Sequence, residues 1–134
     1  MNRFRKVLII DDDPVLRAMV HEYFQKHGAE HILEAGDGME ALEHIEREGA
    51  GLDLILSDLN MPRLDGVELI NRLRDMAYTG PIVIISGTFD VVITMAQELA
   101  GEHQLNIAGT IYKPFSADKL DEIIAEMSDA NASA

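Results

Sequence analysis

The chain contains no cysteine, which excludes disulfides and thiolate metal sites. It contains no long apolar run. Behind the basic start Met1-Asn2-Arg3-Phe4-Arg5-Lys6 comes only Val7-Leu8-Ile9-Ile10, too short for the core of a signal peptide or a membrane span. Positive charge is scarce. Eleven Lys and Arg face 24 Asp and Glu, a formal net charge of −13, so the chain is a poor candidate for holding nucleic acid or an anionic membrane by itself. These absences predict a cytoplasmic protein with no direct nucleic-acid partner and no membrane partner. The chain has neither an internal repeat nor an internal linker. The five histidines, His21, His27, His31, His44 and His103, show no metal-ligand spacing with each other or with a carboxylate cluster. His44, bordered by Glu43 and Glu46, is expected on a solvated helix face. The seven methionines fall mostly on apolar helix faces and are expected in the core.

What is present is a single domain's worth of chain, 134 residues of which 47% are apolar. Short apolar runs alternate with segments of helical period. The strands read as Lys6–Ile10, His31–Ala35, Leu52–Ser57, Ile82–Ser86 and Thr110–Tyr112. The first helix shows Val15, Leu16, Met19, Val20, Tyr23 and Phe24 on one face, with Pro14 in its first turn and Gly28 at its end. The second starts at Asp37 with Glu40 as a capping box and buries Leu42 and Ile45. The third starts at Asp65 with Glu68 as a second box and buries Leu69, Ile70, Leu73 and Met76. The fourth shows Val91, Val92, Met95, Ala96 and Leu99, and the fifth, after Ser116, shows Leu120, Ile123, Ile124 and Met127. Strands alternating with helices predict an α/β fold, a parallel sheet covered by helices on both faces. Residues 1–128 are expected to form the domain. The small, polar residues 129–134 are expected to be a disordered tail or the start of a linker.

The chemistry gathers at the ends of the strands. Leu54-Ile55-Leu56-Ser57 runs into Asp58, and Val7–Ile10 runs into Asp11-Asp12-Asp13. The C-terminal ends of parallel strands are where open α/β sheets bind ligands. If the first and third strands lie side by side, at least three carboxylates converge, and that charge needs a cation; an all-oxygen set suits Mg²⁺. The plainer alternative is that Asp11, Asp12 and Asp13 only cap the first helix. One carboxylate suffices for that, and Asp13 is the best placed, because Pro14 then falls at the first helical position. Asp58 could cap its own turn, but Asn60, Pro62 and Asp65 already shape it. Beside Mg²⁺, a carboxylate at Asp58 is a competent nucleophile toward a phosphoryl group. Lys113, directly before Pro114, could pair with Asp58 at rest and with a phosphoryl oxygen afterwards. Ser86 adds a hydroxyl to the same rim, and Gly87 leaves room for an incoming group; alone, that pair would be an ordinary turn.

In this order, Asp11-Asp12, Asp58, Ser86 and Lys113-Pro114 resemble the receiver domain of bacterial two-component response regulators, the chemotaxis-regulator type, over about residues 5–128. The resemblance implies a (βα)₅ doubly wound, flavodoxin-like sheet in the order 2-1-3-4-5. It implies Asp58 as phosphoacceptor, Asp12 as a direct Mg²⁺ ligand, Asp11 as a ligand through water, and the backbone carbonyl of Asn60 in the metal shell. Ser86 is implied as the switch hydroxyl and Lys113 as the conserved-type lysine, joined to Pro114 by a cis bond. The phosphoryl donor would be a histidine kinase or a phosphotransfer protein in a phosphorelay. The output, to a partner or an output domain, would pass through the face of the fourth helix, fifth strand and fifth helix, and a homodimer is a further option. Such a module is not a turnover enzyme: its reactions are Mg²⁺-dependent self-phosphorylation and autodephosphorylation at Asp58. Two departures stand out. Thr110 replaces the usual aromatic residue on the fifth strand, with Tyr112 expected on the same face two residues on. The stretch from Ser86 to Lys113 is also longer than usual, with Gly101–Asn106 as the expected excess.

Two other readings use similar parts. A haloacid-dehalogenase-like phosphatase would need an acid two residues after the nucleophile, where this chain has Asn60. A flavodoxin-like nucleotide- or flavin-binding module would need a glycine-rich phosphate loop, where this chain has Asp11-Asp12-Asp13.

Overall fold

Val7, Leu8, Ile9 and Ile10 are all buried, and a strand buries consecutive residues only where both faces of its sheet are covered. The computed structural model describes residues 4–58, 60–61, 64–87, 98, 101–102 and 105–133, the side chains of 60–61, 64–67 and 128–133 excepted. The order is β1 (Lys6–Ile10), α1 (Pro14–Lys26), β2 (His31–Ala35), α2 (Gly38–Glu48), a 3₁₀ turn (Gly49–Gly51) and β3 (Leu54–Asp58). A two-residue ribbon follows, Asn60–Met61 against Leu64–Asp65, then α3 (Gly66–Asp75), β4 (Pro81–Ser86), β5 (Asn106–Tyr112) and α4 (Ala117–Ser133). The main sheet has five parallel strands in the order β2-β1-β3-β4-β5, the expected 2-1-3-4-5. The fourth helix of the sequence reading lies outside the described residues, apart from Glu98, which is helical.

The period of two along each strand divides the core. Val7, Ile9, Leu54, Leu56, Val83 and Ile85 pack with Leu16, Val20 and Phe24 of α1 and Leu120 and Ile123 of α4. Leu8, Ile10, Ile55, Ile82 and Ile84 face the other way, onto Ala41 and Ile45 of α2 and Leu69, Ile70 and Leu73 of α3. Each such fully buried aliphatic side chain contributes about 1.5–3 kcal/mol relative to exposure. Tyr23 of α1 also donates its hydroxyl hydrogen to Asp121 Oδ1, tying α1 to α4.

The caps follow the sequence. Asp13 Oδ1 accepts from Val15 N at 2.9 Å, with Pro14 at the first helical position. Asp37 Oδ1 accepts from Glu40 N at 2.9 Å, while Glu40 Oε1 accepts from Gly36 N at 3.3 Å, one residue ahead of the cap.

Several expectations are corrected. The helical period groups Val15 and Met19 with the buried face of α1, but they are 66% and 46% exposed. Six residues spread over too wide an arc to share one face, and only the stripe of Leu16, Val20, Tyr23 and Phe24 meets the sheet. Met39 is exposed as well, so methionine is not uniformly core here. His44 is half-buried, with Nε2 3.1 Å from the carbonyl of Glu34 and Nδ1 2.8 Å from Arg47 Nη2. Strand β3 reaches Asp58 itself, and α4 continues helical to Ser133. Strand β5 begins at Asn106, with one extra residue: Ile82 pairs with Ile107 but Val83 with Gly109, leaving Ala108 as a bulge.

Candidate functional site

Strands β1 and β3 are neighbours, and Ile10 pairs with Ser57, so the next residues, Asp11 and Asp58, emerge level at the sheet's C-terminal rim. Asp12 joins them from the start of the β1–α1 loop. One carboxylate oxygen from each of Asp11, Asp12 and Asp58 lies within 4.8 Å of the others. Asp11 is fully buried and Asp58 only 6% exposed, whereas Asp12 faces solvent. Asp58 also pairs with Ile85 of β4, which brings Ser86, buried, to the same rim one residue further on.

The fourth corner comes from the loop after β5. Ser86 pairs with Tyr112, and the backbone N of Lys113 donates to the carbonyl of Ser86 at 2.7 Å, so Lys113 leaves the sheet beside Ser86. Its ammonium donates to Asp58 Oδ2 at 3.1 Å and stands 3.3 Å from Asp11 Oδ2. The peptide bond to Pro114 is cis. Among the described residues, the nearest atom to a Cβ built on Gly87 is Lys113 Cδ at 3.9 Å, an ordinary contact distance.

The two contacts of Lys113 differ in kind. The one to Asp58 is a hydrogen bond. The one to Asp11 is an ion pair without hydrogen-bond alignment, and Asp11 Oδ2, although buried, accepts no hydrogen bond among the described residues. Burial pushes the Asp11 carboxyl above its ordinary range; the backbone hydrogen bond from Asp13 opposes this, the charge of Asp58 adds to it, and Lys113 opposes it. Burial acts to lower the pKa of Lys113, but the hydrogen bond and charge of Asp58, followed by Asp11, carry it above the ordinary lysine value. Two buried carboxylates share one ammonium, with Asp12 close by, and one buried oxygen of Asp11 has no donor among the described residues. An all-oxygen group of this kind could hold a divalent cation of the Mg²⁺ type.

The structure thus brings together Asp11, Asp12, Asp58, Ser86 and Lys113 at one end of the sheet. The backbone of Asn60 lies in the ribbon two residues past Asp58, and its side chain is outside the described residues. Thr110 pairs with Ile84 and Tyr112 with Ser86, so both lie on the face of the sheet that α2 and α3 cover.

One residue absent from the sequence reading supports the site from behind. Arg17 Nη1 donates to the carbonyl of Asp11 at 2.7 Å, and its Nε to Glu34 Oε1 at 3.2 Å; His21 Nδ1 lies 2.9 Å from Glu34 Oε2. The guanidinium therefore fixes the start of the loop that carries Asp11 and Asp12. The available signal was a basic residue one turn after the Asp13 cap, with nothing to say which carbonyl it would reach.

Comparisons with known proteins bear on the family and the fold. The response regulator receiver domain family matches residues 7–125. The Regulator of RpoS of Escherichia coli (strain K12) is 30% identical over 110 residues, 82% of this chain and 30% of that protein, so the chain spans under a third of that relative's length. The chemotaxis protein CheY4 of Vibrio cholerae superposes with a TM-score of 0.71 at 28% identity, over 90% of this chain and 96% of that one. A response regulator receiver domain protein from Clostridium thermocellum, at 20% identity, shares the fold, with a TM-score of 0.76 over 95% of this chain and 96% of that one. With the family match extending over most of its length, the chain belongs to the response regulator receiver domain family of two-component systems.

Proposed function

We propose that Asp58 accepts a phosphoryl group from a histidine kinase or a phosphotransfer protein, and that the domain then switches conformation to control a partner or an output domain. The observation that carries this reading is the meeting of the Lys113 ammonium with Asp58 and Asp11 at a rim that Asp12 also reaches. An oxygen of the Asp58 carboxylate attacks the phosphorus. The bond from phosphorus to the donor's imidazole nitrogen breaks, and that nitrogen keeps the electron pair. Asp11, Asp12 and Asp58, with the backbone carbonyl of Asn60, would hold Mg²⁺. The ion, when bound, neutralises negative charge on the group being transferred. The Lys113 ammonium passes from the Asp58 carboxylate to a phosphoryl oxygen, and the Ser86 hydroxyl donates to another.

The phosphoryl group then draws on two separate segments. Ser86 ends β4 and Lys113 follows β5, so pulling both toward Asp58 biases the backbone around β5 and α4 between two packings. A protein donor that approaches Asp58 across the start of α1 would cover Val15 and Met19, which are exposed one turn apart just after Asp12 and Asp13 in the chain. The phosphatase and nucleotide-binding alternatives are not favoured, because the family match lies elsewhere and Asn60 cannot serve as a general acid.

Incubation with acetyl phosphate and Mg²⁺ followed by intact-mass measurement tests the reading. One added phosphoryl group is expected, labile to hydroxylamine, abolished by EDTA and absent from Asp58→Asn. Equal phosphorylation of Asp58→Asn would refute it.

A further inference from the structure

Lys119 occupies the first turn of α4, at the end of a helix where the dipole disfavours a cation. Its backbone N donates to Ser116 Oγ at 3.3 Å, which caps the helix. Its side chain folds back instead of extending into solvent: Nζ donates to the carbonyl of Tyr112 and to that of Pro114, each at 3.0 Å. Those two carbonyls belong to the residues on either side of Lys113. Two charge-assisted hydrogen bonds to the chain account for a lysine where the dipole alone argues against one.

The main chain at Lys113 is therefore anchored at three successive points. The carbonyl of Tyr112 and the carbonyl of Pro114 are held by Lys119, and the N–H of Lys113 itself by the carbonyl of Ser86. Lysine's four-carbon stem is flexible, so the position of its ammonium depends on how firmly the backbone beneath it is fixed. We propose that Lys119 is a positioning residue that clamps the chain on both sides of Lys113 and so sets where the Lys113 ammonium stands against Asp58 and Asp11. Lys119 touches neither carboxylate in the described contacts; it acts through Lys113. The kinetic consequence rests on the reading of Asp58 as phosphoacceptor, while the placement of the ammonium does not.

The test compares the whole chain with Lys119→Met, Lys119→Arg, Lys113→Ala and the double variant Lys119→Met/Lys113→Ala. The readouts are the rate of phosphorylation by acetyl phosphate with Mg²⁺, the thermal midpoint, and the ¹⁵N-ammonium resonance that disappears in Lys113→Ala. Lys119→Met is expected to slow phosphorylation roughly 3- to 10-fold, the loss of two partly exposed hydrogen bonds felt through a neighbour. It should also shift or broaden the Lys113 resonance, and Lys119→Arg, which can donate to both carbonyls, should restore both. In the Lys113→Ala background, Lys119→Met should slow the reaction no further, because residues acting as one unit are not additive. The proposal is overturned if Lys119→Met slows the reaction equally in both backgrounds, as a general effect of charge or helix stability would. It is also overturned if both rate and resonance are unchanged. If the wild-type chain takes up no phosphoryl group at all, the reading of Asp58 fails, and the Lys113 resonance alone decides the role of Lys119.

Discussion

Lys113 Nζ lies 3.1 Å from Asp58 Oδ2, although 55 positions separate the two residues in sequence. The ammonium is in hydrogen-bond reach of Asp58, and it shares itself with Asp11. Replacing it with the similarly shaped methionine leaves two buried carboxylates facing each other. Lys113→Met should therefore destabilise the metal-free domain by about 2–3 kcal/mol, less than a fully buried pair because the lysine is part-exposed. A urea titration in EDTA checks this. An unchanged midpoint with an unchanged slope would mean that the pair contributes nothing to the fold.

Asp11→Asn should act in the opposite direction. Burial raises the Asp11 carboxyl above its ordinary value of 3.8, so its ionised form is disfavoured in the folded state. A carboxyl raised on folding contributes stability below that ordinary value and loses it as the pH rises through the folded one. At pH 7 the charge is therefore a net cost to the metal-free fold. Asparagine keeps an Oδ1 to accept the hydrogen bond from Asp13 N, at 2.8 Å in the native chain. The variant should melt several degrees higher than wild type at pH 7 in EDTA, and the gain should vanish below the carboxylate range. Lys113 works at the other end of the scale. Its pKa is raised from 10.5, so its contribution is present below that value and is lost as the pH climbs through the higher folded one. In Mg²⁺ the advantage of Asp11→Asn should shrink or reverse, because the substitution removes a ligand. A lower melting point for Asp11→Asn at pH 7 in EDTA would show that Lys113 already compensates all the charge.

What the sequence made legible was whatever repeats with a simple period or ends an element. Asp11 and Asp58 were readable because an apolar strand delivers each to a rim, and Asp13 because Pro14 follows it. The sheet order came with the family resemblance, not with the periodicity. The roles of Arg17 and Lys119 were not readable, since long side chains that fold back onto particular carbonyls leave no trace in spacing. The bulge at Ala108 was hidden because Asn106, Ala108 and Gly109 have poor strand propensity, so only the end of β5 looked like a strand. The ribbon of Asn60–Met61 with Leu64–Asp65 is two residues on each side, below the length at which alternation can be recognised.

Gly109 lies where β5 and α4 approach closely. A Cβ added there would sit 2.8 Å from both Cγ1 and Cδ1 of Ile123. Ile123 belongs to the apolar cluster beneath α4, so the helix must shift or the side chain leave its rotamer. Gly109→Ala should cost about 1–3 kcal/mol. Ile123→Ala alone should also destabilise, by leaving a cavity. The double variant should be markedly more stable than the sum of the two losses predicts, because the new methyl fills part of the space vacated. Chemical denaturation of the four proteins checks this; strict additivity would mean that the two positions do not meet.

Val15 and Met19 separate the surface role of α1 from its role in the fold. Both are exposed, at 66% and 46%, and a polar substitution at an exposed helix position normally changes stability by no more than ~0.5 kcal/mol. Under the proposed function, a protein phosphodonor that docks over the start of α1 covers this strip as it brings its phosphorylated imidazole to Asp58, whereas a small-molecule donor need not. Val15→Asp and Met19→Glu also place a negative charge beside Asp12 and Asp13, which a docking surface would have to bury. Each should leave the melting temperature and the rate with acetyl phosphate close to wild type, the latter compared at saturating Mg²⁺. Transfer from a histidine kinase that phosphorylates the wild-type chain should slow by roughly tenfold or more, as for loss of one well-packed interface contact. If kinase transfer is unaffected while the acetyl phosphate rate also holds, the donor approaches from another side of the rim. If both rates fall together, the substitutions act on the carboxylate cluster and not on docking.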